Sequence, residues 1–202
     1  MNSEKSSTLS TNVAGILNVG ASAFSDGGQQ SMTSKTSEKQ QNSRNVLTIA
    51  QKLRLQQVPR WTIVPLLRNQ SVAEHSWAVA ILAMELAWRL GIIPDDVARM
   101  AVEHDLSEVV TGDIPTPLKH AIVGAGAGHV IAHSPIEDGD VVASIVKFAD
   151  TMEALIYVQK WGHTKQTAQI SDEMYQRLEK ETAEHETVRK HVFDILREAL
   201  DD

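Results

Sequence analysis

An all-α fold, a compact bundle of about five to seven helices, is what this sequence predicts, and three observations predict it. Apolar residues recur at helical spacing through most of the chain from Asn45 onward. No segment alternates polar and apolar residues as a half-buried strand does. Helix punctuation falls between the periodic stretches, with Ser71 and Glu74 spaced as a capping box, Gly91 placed as a C′ residue, and Pro59 and Pro94 at boundaries.

The elements follow in order. Residues 1–43 are rich in Ser, Thr, Gln and Gly and offer little to bury, so they read as a flexible tail, or as the product of a misassigned start. The weakly apolar run "VAGILNVGASAF" is broken by Asn18 and Gly20 and lacks a basic flank, which argues against a signal peptide. Residues 44–202 form the folded domain. Val46, Leu47, Ile49, Ala50, Leu53 and Leu55 give the first helix its stripe, and Pro59 stops it. "PRWTIVPLLRNQ" is a Pro-punctuated connector. A helix over about 72–90 follows, then one from Pro94 to about Val110 with Asp95 and Asp96 near its positive end. "TGDIPTPLK" reads as a turn region and the Gly-rich residues 120–137 as loop or short helix. Long helices over about 139–160 and 170–200 complete the chain.

Composition excludes several functions. The chain has no cysteine, so disulfides, thiolate metal sites and a cysteine nucleophile are all ruled out. A formal charge of −7 without a Lys/Arg block argues against nucleic-acid binding. Glu85 and Arg89 interrupt the longest apolar run, so no membrane span is expected and the setting reads as cytoplasmic. An anionic small substrate then needs local help, from particular arginines or a metal ion.

Two stretches carry that help. Val97, Ala101, His104 and Glu108 recur at spacings of 4, 3 and 4, so His104 and Glu108 continue an inward stripe with Asp105 beside it. Buried ionisable groups cost several kcal/mol each unless paired or bound to metal. Imidazole and carboxylate together suit a divalent cation. His75, in the first turn of an otherwise apolar helix, sits where the macrodipole disfavours the imidazolium form, and a metal ligand must be neutral. Taken alone, His75 reads first as a packing or capping residue, and only its combination with His104 and Asp105 points to a ligand. Asp150, beside Ser144, Lys147 and Thr151, reads equally as part of a solvated helix face. Arg60 and Trp61 suit a phosphate and a nucleobase, or a surface position and a plug under the connector. The remaining histidines, at 120, 129, 133, 163, 185 and 191, read as surface or loop residues.

"RW" at Arg60–Trp61, "SVAEHS" around His75, "HDLSEVVTGDIPTPLK" from His104 and "VKFADTMEAL" around Asp150 together resemble the HD-domain phosphohydrolases, most nearly the bacterial 5′-deoxynucleotidases and the small phage enzymes that clear dATP. The resemblance covers about residues 44–200. It implies an HD-domain helical bundle in which His75, His104, Asp105 and Asp150 hold one divalent ion, whether Co, Mn, Zn, Ni or Fe. It implies catalytic roles for Glu108, Asp113 and Arg60. Substrate contacts are implied for Arg60, Trp61, Ile63, His75, Asp113, Ile114, Pro115, Thr116, Pro117 and Lys119. The implied reaction is release of phosphate from deoxynucleoside 5′-monophosphates, with tripolyphosphate release from a dNTP as the alternative and a non-catalytic nucleotide sensor as the second. A short, Gly-rich stretch between Asp105 and Asp150 suggests a lowered roof with room for a longer polyphosphate. A homo-oligomer, dimer or larger, is expected.

Overall fold

The computed structural model describes residues 47–127 and 140–201, and these are helical with only isolated bridges between extended segments. Helix α1 is a single turn, Ile49–Lys52, capped by Thr48 and continued as a 3₁₀ turn over Leu53–Gln57. Helix α2 is Val72–Arg89, α3 Pro94–Glu103, α4 Glu108–Thr111 and α5 Thr116–Gly124. Helices α6 (Val141–Trp161), α7 (Lys165–Thr182) and α8 (Glu186–Leu200) complete the bundle. The predicted all-α class and bundle architecture hold. The predicted tail over residues 1–43 lies outside the described residues.

Helices α2 and α6 are the axis of the molecule. Helix α2 packs against α3 and α6, and α6 in turn supports α7 and α8. Their shared core joins Val79, Ala83 and Leu86 of α2 to Val97 and Ala101 of α3, Val146, Met152 and Leu155 of α6, and Leu178, Val192 and Ile195 beyond. Each fully buried aliphatic side chain of this kind contributes roughly 1.5–3 kcal/mol. The capping box forms as predicted, with Ser71 Oγ accepting from the Glu74 N–H at 3.2 Å and Glu74 accepting from the Ser71 N–H at 2.8 Å. Gly91 takes a left-handed φ of 72°, as a C′ residue does.

Four boundaries are corrected. The first helix is cut to one turn plus a 3₁₀ segment, because among the described residues of its stripe only Leu55 is buried while Ile49 and Leu53 remain exposed. The helix predicted to run to Val110 stops at Glu103. Over the next residues the hydrogen bonds shorten to i→i−3, from the Leu106 N–H to Glu103, Glu108 to Asp105 and Val109 to Leu106. The "turn region" ends earlier than expected, since Pro115 caps α5 and Pro117 sits in its first turn, where a missing N–H costs nothing. The single C-terminal helix is two, breaking at Ala183–His185 so that α8 folds back to bury Val188, Val192 and Ile195. Residues 128–139 of the predicted Gly-rich roof lie outside the described residues.

The connector between α1 and α2 is pinned at both ends. The Arg60 N–H donates to the Gln70 carbonyl at 2.8 Å and the Val72 N–H to that of Val58 at 2.9 Å. The Leu67 N–H donates to the Trp161 carbonyl, and the Tyr157 hydroxyl to that of Arg68. This holds Arg60 and Trp61 over α6.

Candidate metal centre

His75 is the first-turn residue of α2 and is fully buried. Its Nδ1 meets Glu153 Oε2 at 2.5 Å. A carboxylate only accepts, so Nδ1 carries a proton and Nε2 faces the other way. His104, the C-cap of α3, repeats the arrangement, its Nδ1 donating to the Ala101 carbonyl at 2.6 Å. The two Nε2 atoms are buried and lack a well-formed hydrogen bond among the described residues. They face carboxylates, with His75 Nε2 at 3.1 Å from Asp150 Oδ1 and 3.6 Å from Asp105 Oδ2, and His104 Nε2 at 3.2 Å from Asp105 Oδ2. Ligand atoms of His75, His104 and Asp150 all lie within 4.8 Å of one another. Both Nδ1 atoms are anchored and both Nε2 atoms converge on carboxylates, which is how a protein presents histidines to a divalent cation.

Electrostatics at the centre reverse one sequence argument. Burial and the Arg60 charge oppose protonation of His75, yet hydrogen bonds to Asp150 and Glu153 outweigh them and raise its pKa. Burial likewise opposes protonation of His104, but Asp105 beside it pushes the pKa up to about 9. The helix dipole invoked for His75 is thus overridden by the carboxylates. Against the cost of burial, the imidazole hydrogen bonds hold both Asp105 and Asp150 below the usual carboxylate range.

Glu108 opens the short helix α4. Its Oε1 accepts from Lys119 Nζ at 3.2 Å, while its Oε2 is buried without a hydrogen-bond partner. Burial first, then the Asp105 charge, pushes its pKa up to about 7, with Lys119 opposing. Arg60 brings Nη1 to 3.9 Å from Glu153 Oε2, and that nitrogen too is buried without a hydrogen bond. Trp61 has a left-handed φ of 60°, strained for a side chain of its size. It is held there by its Nε1–H donating to Gln70 Oε1 at 3.0 Å, and its ring stacks on Tyr157 with centroids 6.5 Å apart.

The predicted residues divide accordingly. His75, His104 and Asp150 converge, and Asp105 lies outside that group but brings Oδ2 near both Nε2 atoms, with Glu108 and Lys119 paired beside them and Arg60 and Trp61 above. Asp113, Ile114 and Pro115 form the half-buried link from α4 to α5, and Thr116 and Pro117 are exposed in the first turn of α5. Ile63 does not join the cluster, lying 57% exposed on the connector. Two residues went unrecognised. Glu153 orients His75 and accepts at 2.5 Å from Gln70 Nε2, and Gln70 in turn holds Trp61. A carboxylate three residues beyond Asp150 on a largely apolar helix was the available signal.

An all-α bundle that aims buried imidazoles from α2 and from the end of α3 at the carboxylates of Asp105 and Asp150 has the build of a candidate metal centre. The family model described as 5′-deoxynucleotidase YfbR-like matches residues 48–123. The dATP triphosphohydrolase of Salmonella phage PMBT28 is 40% identical over 127 residues, covering 54% of this chain and 65% of that protein. The dATP triphosphohydrolase of cyanophage S-2L is 33% identical over 123 residues, covering 55% of this chain and 70% of that one. The chain therefore belongs to the HD-domain phosphohydrolase family, and the match spans just under two-thirds of the Salmonella phage relative. Among solved structures, the cyanophage S-2L HD phosphohydrolase (DatZ) bound to dA and one catalytic Zn²⁺ ion superposes with a TM-score of 0.63 at 22% identity. That likeness covers 77% of this chain and 98% of the other and is one of fold.

Proposed function

We propose that this protein hydrolyses the 5′-phosphate of deoxynucleotides with one divalent metal ion, acting first on deoxynucleoside 5′-monophosphates. The observation that carries the reading is the pair of buried, unpartnered Nε2 atoms of His75 and His104 directed at Asp105 and Asp150. These four side chains are the proposed ligands, and a set of two imidazoles and two carboxylates suits Co, Mn, Zn, Ni or Fe. A bound cation supplies Lewis acidity, which activates water and neutralises charge on the phosphoryl oxygens.

The chain's own residues do the rest. Glu108, with one oxygen fixed by Lys119 and the other free of partners, takes the proton from the attacking water. Arg60 holds the phosphate with its guanidinium. Trp61 offers its face to the nucleoside, with Ile63 beside it. Asp113 passes a proton towards the leaving oxygen, and Ile114, Pro115, Thr116 and Pro117 wall the sugar and base. The working form is a homo-oligomer.

A second reading, tripolyphosphate release from dATP, is favoured by one specific observation. The matches to the two phage dATP triphosphohydrolases extend over 127 and 123 residues, well beyond the stretch that the deoxynucleotidase model matches. One assay separates the readings. The protein is loaded with Mn²⁺ or Co²⁺, given a panel of dNMPs and dNTPs, and its products are resolved as phosphate or tripolyphosphate. Phosphate from dNMPs is the expected result. Tripolyphosphate from dATP alone transfers the proposal to the second reading, and nucleotide binding without product from any substrate overturns both in favour of a sensor.

A further inference from the structure

Helix α2 has two faces with different fates. One, bearing His75, Val79, Ala83 and Leu86, is buried. The other carries Trp77, Ile81 and Trp88, which are 68%, 46% and 75% exposed, with Met84 half-buried between them. Solvated helix faces are ordinarily polar. Two exposed tryptophans in line on one helix make an apolar surface with no partner among the described residues.

The spacing of that stripe states what covers it. Trp77, Ile81, Met84 and Trp88 follow one another at steps of 4, 3 and 4, a pattern that reads the same in both directions. Laid antiparallel on itself, it sets residue 77 against 88 and 81 against 84, the layering of an antiparallel two-helix seam. A two-fold interface requires a patch complementary to itself, and this stripe is one. An open cleft also lies at each end. One, about 550 Å³, is lined by Trp77 with Ala73, Ala78 and Tyr157. The other, about 540 Å³, is lined by Trp88 with Leu82, Pro94 and Ile195. Antiparallel pairing puts each indole into the cleft beside its counterpart. With tryptophans burying about 150–250 Å² each when fully covered and Trp77 and Trp88 68% and 75% exposed, the four indoles of two copies supply roughly 400–700 Å² of the roughly 1,000 Å² of a specific interface, and Ile81 and Met84 add to it.

We propose that the outer face of α2 is the surface on which a second copy of this chain docks, antiparallel, through Trp77, Ile81, Met84 and Trp88. This goes beyond the expectation of an oligomer by naming the face and its register, and it stands independently of the hydrolase reading. The full chain is examined by light scattering after gel filtration, with circular dichroism as the folding control. The wild type runs at twice the chain mass, and Ile81→Glu runs as a folded monomer. Where Ile81→Glu fails to fold, Trp88→Lys at the most exposed position of the stripe supplies the same readout. Because the chain lacks cysteine, register is read from oxidative cross-linking. Ile81→Cys with Met84→Cys gives a covalent dimer, whereas either alone leaves its sulfurs too far apart for a disulfide. A monomeric wild type at tens of micromolar overturns the proposal. So does a dimer indifferent to Ile81→Glu and Trp88→Lys, or cross-linking by Ile81→Cys alone as efficient as by the pair.

Discussion

In the proposed reaction Glu108 is the residue on which the chemistry turns, and its titration has a definite sign. Its native pKa of about 7 stands above the ordinary carboxylate value of 4.5. The folded protein therefore binds that proton more tightly than the unfolded chain, and stability is lost as pH rises from about 4.5 through 7. In the metal-free protein, Glu108→Gln is expected to melt above wild type at pH 8, by a few kcal/mol at most, with the gap closing towards pH 5. Thermal denaturation across that range checks it. Catalysis moves the opposite way. A proton-accepting Glu108 makes kcat/KM rise with pH along an acid limb at or below about 7, since a nearby cation opposes the Asp105 charge. Glu108→Gln should lower kcat by roughly 10²–10⁴-fold and abolish that limb while metal binding survives. A variant that keeps the wild-type pH profile would remove Glu108 from the reaction.

Glu153 acts one step behind. It fixes the ring of His75, and loss of such an orienting partner typically weakens metal affinity 10–100-fold. Glu153→Gln is expected to show that loss in a metal titration with the fold intact, and unchanged affinity would reduce Glu153 to a packing role. The sequence made His75, His104 and Asp105 legible because charge on an inward stripe is anomalous. Asp150 was legible only through the family's motif, since its neighbours on α6 are polar. Glu153 stood out only as a carboxylate on a largely apolar helix, and its role and that of Gln70 were not legible because they depend on a contact spanning 83 positions.

At the scale of elements, sequence cues worked wherever a local hydrogen bond decides the boundary. The Ser71–Glu74 capping box and Gly91 placed α2 to within a residue. They failed where tertiary packing overrode periodicity, at the 3₁₀ tightening after His104 and at the fold-back near Ala183. Gly162 shows the second kind of constraint. A Cβ built there would fall 2.7 Å from Thr167 Cβ and press on the Val158 carbonyl, where α6 meets the cap of α7. Gly162→Ala should therefore cost about 1–3 kcal/mol in denaturant unfolding. A neutral result would mean that the α6–α7 junction yields more easily than its spacing implies.

At the scale of the molecule, the bundle's two longest-packed helices, α2 and α6, also carry His75 and Asp150. Core and candidate centre thus share one scaffold, with the buried aliphatic contacts of Val79, Ala83, Val146 and Met152 holding imidazole and carboxylate at a fixed separation. The all-α class was readable from periodicity. The convergence of four side chains was not, because nothing local brings α2, α3 and α6 together. Among the described residues no helix is long and apolar enough to cross a membrane. The net charge of −7 gives an anionic substrate no general attraction, so the proposed reading leaves that task to Arg60, Lys119 and a bound cation. Anomalous diffraction from crystals grown with Mn²⁺ tests this account most directly. It predicts one peak per chain, within coordination distance of both Nε2 atoms and of Asp105 and Asp150, that disappears in Asp150→Asn. A peak elsewhere, or none at saturating metal, would contradict it.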